Sequence, residues 1–384
     1  MKTKTKQPKT KKTQVIVGLS GGVDSAVSAY LLKKANYDVI GVFMENWDVT
    51  LNGDIKGHKQ ALVDGCSSIQ DFKDAQAVAK KLKIKLLKIN YVQKYWDLVF
   101  KKMIAEFKDG HTPNPDILCN QFIKFGVMLQ YVRRYYPQAK FATGHYAKII
   151  KKNNHLLMAI PADENKDQTY FLCNLNEEQL HQVIFPLENL HKDEVRKIAK
   201  KAKLAVANKK DSTGICFIGE RNFKQFLENY FEKKPGKIIL YPQKRVVGTH
   251  DGLMFYTIGQ RRGLAINGMS EKVFVFRKNK TKNELYIAPD SLQEQYLSST
   301  QATVGYFNWI NPELNLPALQ TKLLVRFRHR QALIECYITK ITKNRIVLKY
   351  PSGSRAVTPG QYAVLYTQQK ICLGGGRIIN TKKH

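Results

Sequence analysis

Apolar positions along the first two hundred residues fall into two alternating periods. Gln14–Leu19 is a short run rich in Val and Ile that leads into glycines, the mark of a buried strand. Helical spacing follows at Val27, Tyr30 and Leu31, with Lys33 and Lys34 on the other side. Val39–Met44 reads as a second strand, Phe72, Ala75, Val78 and Leu82 as a helix face, and Ile84–Ile89 as a third strand. Trp96, Val99, Met103 and Phe107 predict another amphipathic helix, and Phe122, Phe125 and Leu129 one more, starting near Gln121. Lys140–Thr143 supplies a fourth strand just before Gly144 and His145. Strands alternating with helices predict an α/β fold: a doubly wound, Rossmann-like parallel sheet with helices on both faces.

The alternation stops near Asp211. Short β-like runs then dominate, among them Lys237–Leu240, Val273–Phe276, Leu285–Ala288, Leu323–Phe327, Leu333–Ile338, Arg345–Leu348 and Ala363–Tyr366. Turn residues such as Pro235-Gly236, Pro351-Ser352-Gly353 and Pro359-Gly360 separate them, a spacing that suggests small β domains or barrels. The chain thus divides into a disordered basic tail at 1–13, an α/β domain at 14–212, a small β-rich central domain at 213–295 and a C-terminal β-barrel at 296–384.

Charge adds a partner. The formal net charge is +32 and the pI about 9.8, and a protein this basic usually meets a polyanion. Lys outnumbers Arg by 49 to 14, as AT-rich coding would also produce, so charge alone does not say which nucleic acid. No apolar run approaches the ~20 residues of a membrane span. Residues Met1–Thr13 carry six Lys, no acid and no apolar core, which excludes a secretory signal. A cytoplasmic protein with no membrane partner is expected. Its six cysteines, Cys66, Cys119, Cys173, Cys216, Cys336 and Cys372, form no C-x-x-C pair, which argues against a zinc or cluster site. In a reducing compartment they are thiols, and any disulfide among them is transient and catalytic.

The first strand runs directly into Gly18, Leu19, Ser20, Gly21, Gly22, Val23, Asp24 and Ser25, where a helix begins. Two adjacent glycines let backbone N–H groups converge on an anion, and the helix N-terminus behind them adds partial positive charge. Asp24 and Ser25 are placed to orient a Mg²⁺ ion or its waters, with the phosphates rather than a protein cage supplying the remaining ligands. The loop lacks the Lys of a G-x-x-x-x-G-K-[ST] motif. A tight turn capping a helix is the plain alternative.

This loop resembles that of the PP-loop ATP pyrophosphatase superfamily, S-G-G-x-D-S. Further motifs narrow the resemblance: F-M-E-N-W at Phe43–Trp47, T-P-N-P-D-I-L-C-N at Thr112–Asn120, A-T-G-H-Y at Ala142–Tyr146, N-K-D-Q-T-Y-F-L at Asn165–Leu172, D-S-T-G-I-C-F-I-G at Asp211–Gly219, and C-L-G-G-G near the end. Together they are similar to the tRNA-specific 2-thiouridylase family, over almost the whole chain beyond the tail. The resemblance implies a PP-loop catalytic domain, ATP as cofactor and tRNA as substrate. It implies adenylation of the C2 oxygen of a wobble uridine, release of pyrophosphate, and displacement of AMP by sulfur.

Thiolating C2 needs the oxygen made into a good leaving group, which adenylation does, and a nucleophilic sulfur carried to the site. A cysteine persulfide can carry it, and a second thiolate can break the S–S bond by exchange. By the resemblance, Cys216 carries the persulfide, delivered by a cysteine desulfurase or sulfur-relay protein, and Cys119 is the nucleophile that forms a disulfide with it. Cys119 precedes the helix predicted near Gln121, and a helix N-terminus favours thiolate. Two buried structural thiols are the alternative. Cys66 and Cys372 read as packing positions.

Asp116 resembles the family's acid–base residue, within an Asn114, Pro115, Asp116 segment that contacts the base; capping the next helix is its other reading. Met44 and Gly144 map to nucleotide contacts, and His145 to a phosphate or base contact. Lys166, Asp167 and Gln168 match a tRNA-contacting segment, Arg328 and His329 a tRNA-contacting pair, and Gln361 a further RNA contact. Arg326, Arg328 and Arg330 alternate, so on a strand all three guanidiniums share one face and can follow a phosphate backbone. A PP-loop ligase related to lysidine synthase or GMP synthetase would need no cysteine pair. An RNA-binding protein with a decayed ATP site would not keep Ser20–Ser25 intact.

Overall fold

The computed structural model describes residues 12–54, 67–211, 223–264, 266–314 and 317–382. Strand β1 (Gln14–Gly18) lies at the centre of a five-stranded sheet, flanked by β2 (Asp38–Glu45) and β4 (Lys140–Ala142). β3 (Lys85–Asn90) lies outside β2, and Val183–Ile184 outside β4; every pairing is parallel. The period-2 pattern of β1 explains its placement. Val15 and Val17 enter one apolar cluster, with helix α1 (Val23–Lys34) and helices Ser67–Leu82 and Lys192–Lys201. Ile16 enters the opposite cluster with Met44, Phe125 and Phe141. Burial on both faces is why this strand reads as an unbroken Val/Ile run.

The helix expected near Gln121 starts earlier. Asn114 is its N-cap, accepting from Ile117 N at 3.2 Å, and Pro115 occupies the first turn, where a missing N–H costs nothing. Pro115–Cys119 then runs into a wider π-helical segment, Asn120–Met128. Cys119 therefore sits five residues into the helix, beyond the first turn where the helix-end field acts, and is fully buried. Asp116 lies in the first turn and is not the cap.

Two β units follow. Val273–Asn279, Glu284–Pro289, Gly236–Leu240 and Arg245–His250 form a four-stranded sheet in that order. Six later strands form an antiparallel barrel, closed where Ser298–Trp309 pairs with Ile371–Lys382. A feature absent from the sequence reading joins the barrel to the α/β unit. The hairpin Lys148–Lys152/His155–Ala159 follows β4 and pairs through Met158 and Ala159 with Cys372 and Ile371 of the last barrel strand.

The arginine row is corrected by the structure. The barrel strand Lys322–Arg326 ends at Arg326, and the chain then turns, with Gln331 N donating to Arg328 O and Gln331 Oε1 accepting from Phe327 N. Arg326 is buried in an ion pair with Asp167, whereas Arg328 and Arg330 are exposed. The three guanidiniums do not share a strand face.

Candidate active site

The loop between β1 and α1 lies at the carboxyl end of the sheet, where open parallel sheets bind ligands. Gly22 begins α1 without a side-chain cap, so the first-turn N–H groups receive no side-chain acceptor there. Gly21 has φ +76°, and a Cβ on it would lie 2.3 Å from Asp71 O. Only glycine fits that position. Ser25 ties the turn together: its Oγ accepts from Ser20 N at 3.2 Å and donates to Gly22 O at 3.0 Å. Gly144, just past β4, rests on the same turn; a Cβ would lie 2.8 Å from Ser25 N. Gly18 and Met44 lie side by side at the strand ends. Beyond Met44, the buried Asn46 Oδ1 has no partner among the described residues. A cradle built from glycines, an uncapped helix start and an orphaned acceptor suit a nucleotide with its phosphates.

Asp24 does not stand open beside this cradle. Its carboxylate accepts from Lys192 Nζ at 2.7 and 2.8 Å and from Tyr146 OH at 3.0 Å. Lys192 also reaches Asp211 at 2.8 Å, and Asp211 is held in turn by Lys166 at 2.7 Å and Arg196 at 2.8 Å. Burial opposes the Asp211 charge, but hydrogen bonds from Lys166 and Lys192 outweigh it and pull its carboxyl down to about 2. On the other side of the loop, Lys209 donates to Gly21 O at 3.0 Å and to Asp71 and Asp74. Burial works against its charge, and those carboxylates raise its pKa nonetheless. Cations thus stand on both sides of the cradle, each paired with carboxylates. Asp24, which follows the glycines of the loop, is the residue that would orient a Mg²⁺ ion arriving with the phosphates. No group of three or more metal-ligating side chains occurs among the described residues.

Lys192, Tyr146, Asp211 and Arg196 were missed as site residues in the sequence. Lys192 opens a helix amid many other lysines, and no spacing marks it. Its burial and its two carboxylate partners are what set it apart.

The remaining predicted residues divide between two places. Asn114, Pro115, Asp116 and Cys119 stand together on one helix, packed against the Met44 face of the sheet. His145 is buried against Phe125 and Phe185; Thr143 Oγ1 lies 2.8 Å from Nδ1 and Lys124 Nζ 3.4 Å from Nε2. Burial first, then the Lys124 charge, hold the imidazole well below its ordinary pKa. Lys166, Asp167 and Gln168 are all engaged within the chain. Lys166 pairs with Asp211, and Gln168 Oε1 accepts from Tyr146 N. Asp167 is 2% exposed, accepts from Thr169 and Arg326, and offers its carbonyl to His329 Nε2 at 2.9 Å. Arg328 donates to Ile258 O, Ala356 O and Thr358 Oγ1, across the seam between the central sheet and the barrel. Gln361 meets the Thr112–Asn114 strap. Cys216, Cys66 and the tail residues 1–11 lie outside the described residues, and so does the expected Cys119–Cys216 bond. Cys173, Cys336 and Cys372 are buried thiols, and burial raises the pKa of each.

This is a nucleotide-cradling α/β unit with two β units appended. Residues 13–220 match the family described as tRNA methyl transferase HUP domain, 224–289 the tRNA methyl transferase PRC-barrel domain, and 299–378 the aminomethyltransferase beta-barrel domain. The chain is 50% identical over 373 residues to the tRNA-specific 2-thiouridylase MnmA of Ureaplasma parvum, covering 96% of this chain and 95% of that protein. It is 50% identical over 369 residues to the MnmA of Mycoplasma pneumoniae, covering 95% and 97%. It also matches the trifunctional protein RibF/MnmA of Mycoplasmoides gallisepticum at 50% identity, there spanning 56% of that protein. A solved 4-thiouridine synthetase–RNA complex with bound ATP aligns with 56% of this chain and 50% of its own at 13% identity and TM-score 0.33, too distant to carry an argument. The chain belongs to the tRNA-specific 2-thiouridylase (MnmA) family.

Proposed function

We infer that this protein is a tRNA uridine 2-sulfurtransferase that uses ATP to activate the C2 oxygen of the wobble uridine. The observation that carries the reading is the uncapped, glycine-lined start of α1, flanked by Lys192 and Lys209, on a chain that also presents Asn114, Asp116 and Cys119 from one helix. Backbone N–H groups of the Ser20–Ser25 loop hold the phosphates, and Lys192 can follow the negative charge that develops as pyrophosphate leaves. Met44 and Gly144 border the nucleoside, and a Mg²⁺ ion bound with ATP would neutralise charge at the phosphates. The uridine O2 attacks the α-phosphorus, pyrophosphate departs, and C2 carries AMP as its leaving group.

Asp116, half-buried in the first turn, is placed to hold or move a proton at the base. Sulfur arrives as a persulfide on Cys216, from a cysteine desulfurase or relay protein. Its outer sulfur reaches C2 and expels AMP, either by direct attack of the persulfide or as hydrosulfide released from it. Cys119 Sγ attacks Cys216 Sγ to free the sulfur, leaving a disulfide that an external thiol must reopen. Arg328, His329 and the charged surface hold the tRNA.

The test is nucleoside mass spectrometry of tRNA incubated with the protein, ATP, Mg²⁺, a cysteine desulfurase and cysteine. The expected result is 2-thiouridine together with AMP and pyrophosphate. ADP and phosphate as products, or thiolation without ATP, would overturn the reading.

A further inference from the structure

Gln361 belongs to the barrel, yet its side chain is wholly occupied by the helix start that carries Cys119. Nε2 donates to Thr112 O at 2.9 Å and Pro113 O at 3.1 Å, and Oε1 faces Asn114 Nδ2 at 3.4 Å. The other end of the same Asn114 amide, Oδ1, accepts from Ile117 N and caps the helix. An unbroken line of hydrogen bonds therefore runs from the barrel through Gln361 and Asn114 into the turn that holds Asp116, with Cys119 just after it.

The anchor of this line is tied to the barrel backbone on both sides. Gly360 N donates to Ile378 O and Ile378 N to Gln361 O, fixing the backbone to the last barrel strand. Gly360, at φ +94°, lies so close to the strap that a Cβ would be 2.8 Å from Thr112 N and O. Thr112 N donates to Pro359 O at 3.2 Å, and Arg377 of the same strand reaches His111 Nδ1 at 3.0 Å. Four barrel residues, Pro359, Gly360, Gln361 and Arg377, hold residues 111–114.

We propose that Gln361 is a positioning residue of the sulfur-transfer site: it orients the Asn114 amide as a helix cap and so sets the register of Asp116 and Cys119. Both Nε2 protons of Gln361 are taken within the protein, and its Oε1 is shared with Asn114. The proposal rests on Cys119 as the sulfur-transfer thiol for its meaning, but its physical content, the bracing of a buried cysteine, can be read without catalysis.

The experiment uses the full chain with Gln361→Ala, Asn114→Ala and the double variant. Three quantities are measured: the alkylation rate of Cys119 by iodoacetamide, read by peptide mass spectrometry; the tRNA dissociation constant; and kcat and KM for thiolation. Cys119 is fully buried, so its alkylation reports fraying of the helix start. Gln361→Ala should speed alkylation about five- to tenfold, the size of one lost cap. It should lower kcat similarly and leave tRNA affinity and KM within about twofold. The double variant should alkylate no faster than Asn114→Ala alone, because both act through one amide. Gln361→Glu keeps the acceptor for Asn114 but sets a carboxylate against two carbonyls, and should match Gln361→Ala. Weakened tRNA binding with unchanged Cys119 alkylation would overturn the proposal and make Gln361 a direct RNA contact. Additive alkylation effects would also overturn it. Should the wild-type chain fail to thiolate while alkylation follows this pattern, the functional reading falls and the brace stands.

Discussion

Replacing Asp211 with Asn keeps the side-chain shape and removes the charge that Lys166, Lys192 and Arg196 share. On folding, burial opposes ionisation while Lys166 and Lys192 favour it, and the carboxyl falls from 3.8 to about 2. At 1.36 kcal/mol per unit that is ~2.4 kcal/mol; because about a third of the side chain is exposed, solvent screening brings it to about 1–2 kcal/mol. A carboxyl depressed on folding contributes this stability above its unfolded value, near pH 4, and loses it as pH falls toward 2. For an α/β unit of this size the loss in Asp211→Asn corresponds to roughly 3–6 °C in Tm at neutral pH. Thermal melts of both proteins at about pH 7 and about pH 3 measure it. The gap should be clear at the higher pH and shrink at the lower. Equal melting temperatures at neutral pH, or a gap that persists unchanged in acid, would refute the charge network as the source of stability.

Two further outcomes follow from the cradle and the charge. Asp24→Ala removes the partner shared by Lys192 and Tyr146 and a carboxylate of the phosphate loop, so tRNA-dependent AMP formation should be abolished while tRNA affinity stays within a few fold. A thin-layer assay of AMP and a filter-binding titration check both halves. If about six Lys and Arg contacts to phosphate dominate binding, tRNA affinity should fall ~10³-fold between 50 and 200 mM salt, and Arg328→Ala should flatten the slope by about one unit. An unchanged slope would leave Arg328 as a seam residue between central sheet and barrel, where its hydrogen bonds already place one nitrogen.

The parallel sheet was legible because β1 and β2 are buried on both faces, and the phosphate loop because Gly21 and Gly22 follow a strand and open a helix. The barrel strands were legible from turn residues at short intervals. Long-range pairing was not. Nothing near Lys148–Ala159 says that this hairpin meets Cys372, more than two hundred residues on. Arg326 looked like one of three exposed arginines because its partner, Asp167, lies 159 positions away. Lys192 was invisible for the same reason: both its carboxylates come from other elements. The helix start at Asn114-Pro115 was a different failure, since an N-cap residue followed by proline is a local signal. The stronger apolar period from Phe122 onward drew the boundary too late.

The central claim, that sulfur travels from Cys216 to RNA with Cys119 as the releasing thiol, is tested most directly by peptide mass spectrometry of Cys119→Ser and Cys216→Ser after incubation with a desulfurase, ATP and tRNA. Cys119→Ser should accept the persulfide sulfur on Cys216 and keep it there, free or joined to C2 of the uridine, Cys216→Ser should accept none, and neither should form 2-thiouridine. The wild type, without reductant, should stop after about one turnover with Cys119 and Cys216 joined as a disulfide. A persulfide on Cys119, or full thiolation by either serine variant, would contradict the account.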